Sequence, residues 1–127
     1  MVGNRSSMRS ASVSPPSEDI GEIMWAVALY EGEGSIFLNH SRGRAYMRMA
    51  VAMTNEWCIR RFHNIVGVGT VTGPYTRRNR NDSPVWVWRT GSVEGVTQVV
   101  DLIYEHLSPD RQDQMHRIFD FCNEQAA

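Results

Sequence analysis

The chain has 127 residues, 42% hydrophobic and 21% charged, a balance that fits one folded domain and excludes disordered, collagen-like and disulfide-scaffold classes. A chain this long buries roughly two thirds of the surface it exposes unfolded, so a core forms without metal or cystine staples. Cys58 and Cys122 are then read as small core residues of a protein in a reducing cytoplasm. The net charge is −1, yet the distribution is uneven. All thirteen basic residues are Arg, and nine of them lie between Ser35 and Ser92 against two acids, making that stretch +7. Residues 10–34 and 93–127 are each −5. Such a map suggests a basic face, and the planar guanidinium suits phosphate and guanine. The longest apolar run, Ile23 to Tyr30, falls short of the ~20 residues of a membrane span.

Residues 1–17 lack the apolar stretch of a signal peptide and are read as a loose tail before a single domain, 18–127. Ser17, Glu18 and Asp19 form a helix start, a capping hydroxyl followed by acids facing the positive end of the helix dipole. The first helix is predicted to reach about Tyr30. Ile20, Ile23, Met24 and Val27 line one side, and Trp25, Ala26, Ala28 and Leu29 fill the other. A helix apolar nearly all round needs cover on two sides. The protein's own sheet is one cover; a second helix approaching over Ala26 and Ala28 is the other.

Glu31-Gly32-Glu33-Gly34 then stops the helix and leads directly into a strand. A first hairpin runs from Ser35 to Asn39, turns at His40–Arg44 and returns over Ala45 to Thr54. The return strand alternates, Met47, Met49, Val51 and Met53 inward and Tyr46, Arg48, Ala50, Ala52 and Thr54 outward, as a half-buried antiparallel sheet requires. Asn55 or Thr54 caps a second helix bearing Cys58, Ile59, Phe62, Ile65 and Val66, ended by Gly67–Gly69. A second hairpin pairs Thr70–Tyr75 with Val85–Thr90 across a loop holding Arg77, Arg78 and Arg80. Trp86 and Trp88 are read as core. Ser92 caps a third helix, and Ser108-Pro109 opens a last short one. The order αββαββα(α) implies an α+β fold, a four-stranded antiparallel sheet with helices packed on one face. His40, His63, His106 and His116 show no metal-ligand spacing.

The stretch Ala26-Val27-Ala28-Leu29-Tyr30-Glu31-Gly32-Glu33-Gly34 resembles the signature of the LAGLIDADG homing endonucleases. Met53-Thr54-Asn55, Val66-Gly67-Val68-Gly69, Trp86-Val87-Trp88-Arg89 and Leu107-Ser108-Pro109 follow in the order of that family's landmarks, over about residues 20 to 120. The chemistry of the residues agrees. A carboxylate at a helix C-terminus, Glu33, together with the Gly32 carbonyl, is a hard-oxygen donor set suited to Mg2+ or Mn2+.

The resemblance implies a site-specific double-strand DNA endonuclease from a mobile element, cutting a long pseudo-palindromic site. One motif in the chain implies a homodimer, with Trp25, Ala26, Ala28 and Leu29 at the contact and a saddle-shaped sheet over the duplex. Glu33 is the implied catalytic and metal-binding acid, with Gly32 contributing to the metal site. Asn55 and Arg111 stand where that family carries a polar residue, often Gln, and a basic one, usually Lys. Phe37, Asn39, Tyr46, Arg48, Thr70, Thr72 and Arg89 are the implied base readers, and Arg42, Arg44, Arg77, Arg78 and Arg80 the implied clasp on flanking DNA. Two departures stand out, Ala28 at the small third position and the absence of any Lys near the last helix. The alternative is a DNA- or RNA-binding module of the same fold, a transcriptional regulator or intron maturase, without cleavage.

Overall fold

The computed structural model describes residues 13–76 and 83–126. Helix α1 spans Ile20–Glu33. Its N-cap is Asp19 rather than Ser17: the Asp19 carboxylate accepts the Glu22 amide at 3.0 Å, while the Ser17 hydroxyl accepts the Asp19 amide at 3.1 Å. The helix also runs three residues beyond the predicted end. Gly32 sits exposed within the last turn, and the Gly34 N–H closes that turn on the Tyr30 carbonyl.

Gly34 already has extended backbone, φ −85° and ψ 161°, so helix passes into strand without a loop. Its glycine is needed for space, because a Cβ there would strike the Tyr30 ring. Strand β1 is Gly34–Ser41, β2 Arg44–Met53, β3 Thr70–Tyr75 and β4 Val85–Thr90. They form one antiparallel sheet in the order β1-β2-β4-β3. The alternation in β2 is as predicted: Ala45, Met47, Met49 and Val51 are buried, while Arg44, Tyr46 and Ala52 are exposed.

Helices α2 (Glu56–Val66), α3 (Val93–Ile103) and α4 (Pro109–Ala126) complete the fold, with a 3-10 turn at Tyr104–His106. Asn55 and Ser92 cap α2 and α3. The four helices share one core with the inner face of the sheet. Phe62 meets Trp88 edge to face at 4.9 Å, and the fully buried Trp88 indole donates to the Val68 carbonyl at 2.8 Å, satisfying its only polar atom. The expected α+β architecture is present. Among the described residues no helix is long and apolar enough to cross a membrane.

Two further boundaries differ from expectation. The last helix is 18 residues long rather than short, since no Gly or Pro follows Pro109 to break it. Its far end reaches β2, where the Gln125 amide both accepts from the Ala45 N–H and donates to the Ala45 carbonyl at 2.8 Å. Part of the expected N-terminal tail, residues 14–17, is held by the domain. Residues 14–17 are fastened to the end of α2, Ser14 N–H to the Gly67 carbonyl at 2.7 Å and Ser17 N–H to the Ile65 carbonyl at 2.8 Å. Residues 1–12 lie outside the described residues.

Gly34→Ala is expected to destabilise the protein by about 1–3 kcal/mol, the scale of forcing an extra methyl into packed atoms. A urea midpoint lowered with unchanged slope is the signature; an unshifted midpoint contradicts the account of this junction.

Candidate nucleic-acid interface

The helix-free face of the sheet is built by alternation and register. Phe37 pairs with Arg48 and Asn39 with Tyr46 across β1 and β2. Ala50 pairs with Arg89, and Arg89 in turn with Thr70. Ala52 pairs with Val87, and Val87 with Thr72. All seven expected base readers, Phe37, Asn39, Tyr46, Arg48, Thr70, Thr72 and Arg89, therefore share one face, with small Ala50 and Ala52 forming its floor. Arg44 opens β2, and Arg42 stands in the preceding turn with φ 53°, both exposed. Arg77, Arg78 and Arg80 lie outside the described residues.

The guanidinium groups of this face are partly committed. Arg48 donates to the Gly91 carbonyl at 2.8 Å, and Arg89 approaches the Thr72 hydroxyl at 3.5 Å, which also accepts from the Tyr75 hydroxyl at 3.0 Å. Each arginine retains further N–H donors. The basic stretch does not lie wholly on this face, however. Arg60 and Arg61 belong to α2 on the helical side, where Arg60 pairs with Glu56 and Arg61 with Glu22, both at 2.7 Å. The Arg61 guanidinium also stacks 4.2 Å from the Trp25 ring and 5.4 Å from that of Trp57. Arg60 and Arg61 belong to the basic stretch in sequence but not to the sheet face.

At one end of the sheet stands Glu33, the last residue of α1, exposed and beside exposed Gly32. The Gly34–Val51 pairing puts the exit of β2 at the same end, so Asn55 belongs to this corner. Its side-chain oxygen is engaged as a cap, accepting the Cys58 amide at 3.1 Å. Arg111 comes to the same helix end from α4. It donates to the Glu31 carbonyl at 3.0 Å and lies over the Tyr30 ring at 5.5 Å. Tyr30 is fully buried, its hydroxyl has no partner among the described residues, and burial pushes its pKa up to about 12.

Glu31 points away from its neighbour's role. Its carboxylate accepts the Ser108 amide at 2.9 Å and the Ser108 hydroxyl at 2.8 Å, clamping the end of α1 to the start of α4. The Ser108 bonds, with Arg111 nearby, hold the carboxyl below its ordinary value. The signals for this clamp were the Ser108-Pro109 helix start and an acid at helix end; nothing in the sequence pairs them.

The donor set at this corner is hard oxygen, as Mg2+ or Mn2+ requires. Among the described residues, though, no group of three or more His, Cys, Asp or Glu gathers to hold a metal ion. Glu33 and Gly32 are adjacent and exposed, and a carboxylate with a backbone carbonyl is chemistry that a divalent cation accepts.

The outward surface of α1 carries exposed Ile20, Met24 and Ala28 with half-exposed Trp25 and Leu29. Ala26, expected on this surface, is 0% exposed and belongs to the chain's own core. A helix has one inward stripe, and Ala26, Val27 and Tyr30 occupy it.

No protein-family model matches the sequence, and no curated protein matches it. Solved structures do. The LAGLIDADG homing endonuclease I-GzeII, in complex with its DNA target, superposes with TM-score 0.64 at 13% identity, over 87% of this chain and 39% of that one. The group I intron-encoded homing endonuclease I-CeuI, complexed with DNA, gives 0.63 at 13% identity, over 87% and 58%. The homing endonuclease I-CvuI, with its target in the presence of Ca, gives 0.58 at 16% identity, over 76% and 65%. This chain thus has the fold of the LAGLIDADG homing endonucleases. The match spans less than two thirds of the length of each of these three.

Glu31→Gln is expected to lower the thermal midpoint at neutral pH by loosening the clamp. Because the folded carboxyl titrates below its ordinary 4.5, its contribution is complete above that value and is lost as pH falls through the lowered one. The difference between native and variant midpoints therefore shrinks as the pH falls through the lowered value. A difference unchanged by pH contradicts the clamp.

Proposed function

We propose that the protein is a divalent-metal-dependent, site-specific DNA endonuclease acting as a homodimer on a long pseudo-palindromic site. The observation that carries this reading is the position of Glu33, exposed at the loop-free junction of α1 and β1, at the end of a sheet whose open face gathers Arg48, Arg89, Phe37 and Tyr46. The LAGLIDADG fold, found in neighbours solved on DNA, supports it.

In this reading two copies pair through the outward stripe of α1, Met24, Trp25, Ala28 and Leu29. The pairing brings two Glu33 carboxylates together near the two-fold axis and completes the half-sites. Glu33 and the Gly32 carbonyl of each copy would hold the cation, which when bound polarises the scissile phosphate and lowers the pKa of an attacking water. Arg42, Arg44 and the loop arginines Arg77, Arg78 and Arg80 bind phosphates and fix register; the open sheet face reads base edges in the major groove. Asn55 and Arg111 flank the reacting phosphate. Arg111 supplies positive charge there rather than a proton, since guanidinium does not deprotonate.

A second reading, a binding module that does not cut, is favoured by one specific observation. Both helper groups are already engaged, Asn55 as the α2 cap and Arg111 on the Glu31 carbonyl. Incubation with a library of duplex targets, with and without Mg2+, distinguishes the two. The endonuclease reading expects Mg2+-dependent double-strand cleavage that Glu33→Gln reduces by roughly 10²-fold or more, the scale of losing a preorganised electrostatic group, while duplex affinity persists. Selective binding with no nicking at any Mg2+ concentration supports the module instead.

A further inference from the structure

Gly91 is a glycine that its own backbone does not require. It follows β4 directly and lies outside the left-handed region of φ that favours glycine. What it leaves room for is Arg48. A Cβ on Gly91 would stand 2.5 Å from Arg48 Nη1 and 2.8 Å from its Cδ and Cζ, and these are the three nearest atoms. Continuing the Met49–Thr90 pairing by one residue sets Gly91 opposite Arg48. There its carbonyl accepts from Nη1 at 2.8 Å. One residue thus supplies both the space for the guanidinium and the bond that holds it.

The bond also decides which edge of the guanidinium is left to use. Both hydrogen bonds that Arg48 makes among the described residues leave from Nη1, to the Gly91 carbonyl and, at 3.4 Å, to the Met47 carbonyl. Nε and Nη2 keep their hydrogens, and together they form the side edge of the group, a planar fork of two parallel N–H donors. Arg48 is half-buried and borders an open cavity of about 420 Å³ with Gly91, Thr70 and Arg89. Arg89 is held differently: it is exposed, and its bond to the Thr72 hydroxyl is 3.5 Å long. A loosely held guanidinium serves any acceptor within reach. One anchored at Nη1 has less freedom to lose on binding, and it favours a pair of acceptors lying in its own plane.

We propose that Gly91 is the positioning residue for Arg48 and a determinant of specificity: by holding Nη1 on its carbonyl it presents the Nε–Nη2 edge to a guanine, whose major-groove edge offers two adjacent acceptors, O6 and N7. The inference rests on the DNA-binding reading above and deepens it, naming one base pair in each half-site that the sheet selects.

Selection of bound duplexes from a randomised library, read by sequencing, tests it for the native chain, Gly91→Ala, Arg48→Ala and the Arg48→Ala/Gly91→Ala pair. The native chain is expected to favour guanine at one position of each half-site by roughly 5- to 150-fold, the range of a bidentate contact, and Arg48→Ala to abolish that preference. Gly91→Ala, with Arg48 still present, is expected to lose most of it at the same position, and the pair to lose no more than Arg48→Ala alone. Guanine preference kept by Gly91→Ala, or lost at a position that Arg48→Ala leaves untouched, overturns the proposal. So does equal weakening of Arg48→Ala on all sequences, which makes Arg48 a phosphate contact. Thermal midpoints keep folding apart from recognition. The pair lacks the guanidinium that a Cβ would meet, so it is expected to share the midpoint of Arg48→Ala. A folded pair beside an unfolded Gly91→Ala shows the same steric coupling and supports the proposal, whereas unfolding of the pair means that Gly91 serves the backbone and overturns it. Absence of duplex binding by the native chain overturns the DNA-binding reading and this proposal with it, while native binding with no guanine preference governed by Gly91 overturns this proposal alone.

Discussion

The passage from α1 to β1 without an intervening loop is the constraint on which the rest of the molecule depends. It works because the Tyr30 ring packs directly on the Gly34 backbone and because Glu31, the next residue after Tyr30, is bound by the Ser108 amide and hydroxyl. Arg111 seals the same corner by donating to the Glu31 carbonyl. Glu33 is the last helical residue of this junction, and its side chain is open to solvent. An acid at a helix C-terminus faces the negative end of the dipole, an arrangement unfavourable in isolation and favourable once a cation is near.

The two exposed features of the chain answer different needs. The open sheet face mixes Arg48 and Arg89 with exposed Phe37 and Tyr46 around a floor of small residues. The outward side of α1 is the reverse, with Ile20 and Met24 64% and 42% exposed beside Ala28 and half-exposed Trp25 and Leu29. Water is a poor neighbour for such a stripe. In the proposed function one copy covers the other there, and the same contact joins two half-built oxygen sites. Stability and chemistry would then be served by a single interface.

Much of the fold was legible in the sequence because local signals and tertiary demands agreed. The alternation of Met47, Met49 and Val51 against Tyr46, Arg48 and Ala50 set one face of β2, and Asn55 and Ser92 announced their helices by capping chemistry. Where the reading failed, a distant contact decided. Ser17 lost the cap of α1 to Asp19, and Gly32 did not stop the helix, because the last turn closes on Gly34. Ser14 is held by Gly67 and Gln98 and Ser17 by Ile65, partners distant in the chain that no local pattern reveals. The site was legible as a list of residues and not as a set of bonds. Glu33 and the sheet face came from the motif and from alternation. The Glu31–Ser108–Arg111 clamp, the inward turn of Ala26 and the placement of Arg60 and Arg61 on the helical side required coordinates.

The central claim is that two copies meet through α1 when duplex is bound. Sedimentation equilibrium of the chain on a duplex that it binds, set beside Ala28→Arg, tests this most directly. The account predicts two copies per duplex for the native chain and loss of that stoichiometry in the variant, where a guanidinium is driven into an apolar contact. One copy per duplex for the native protein, or two copies undisturbed by the arginine, would contradict it.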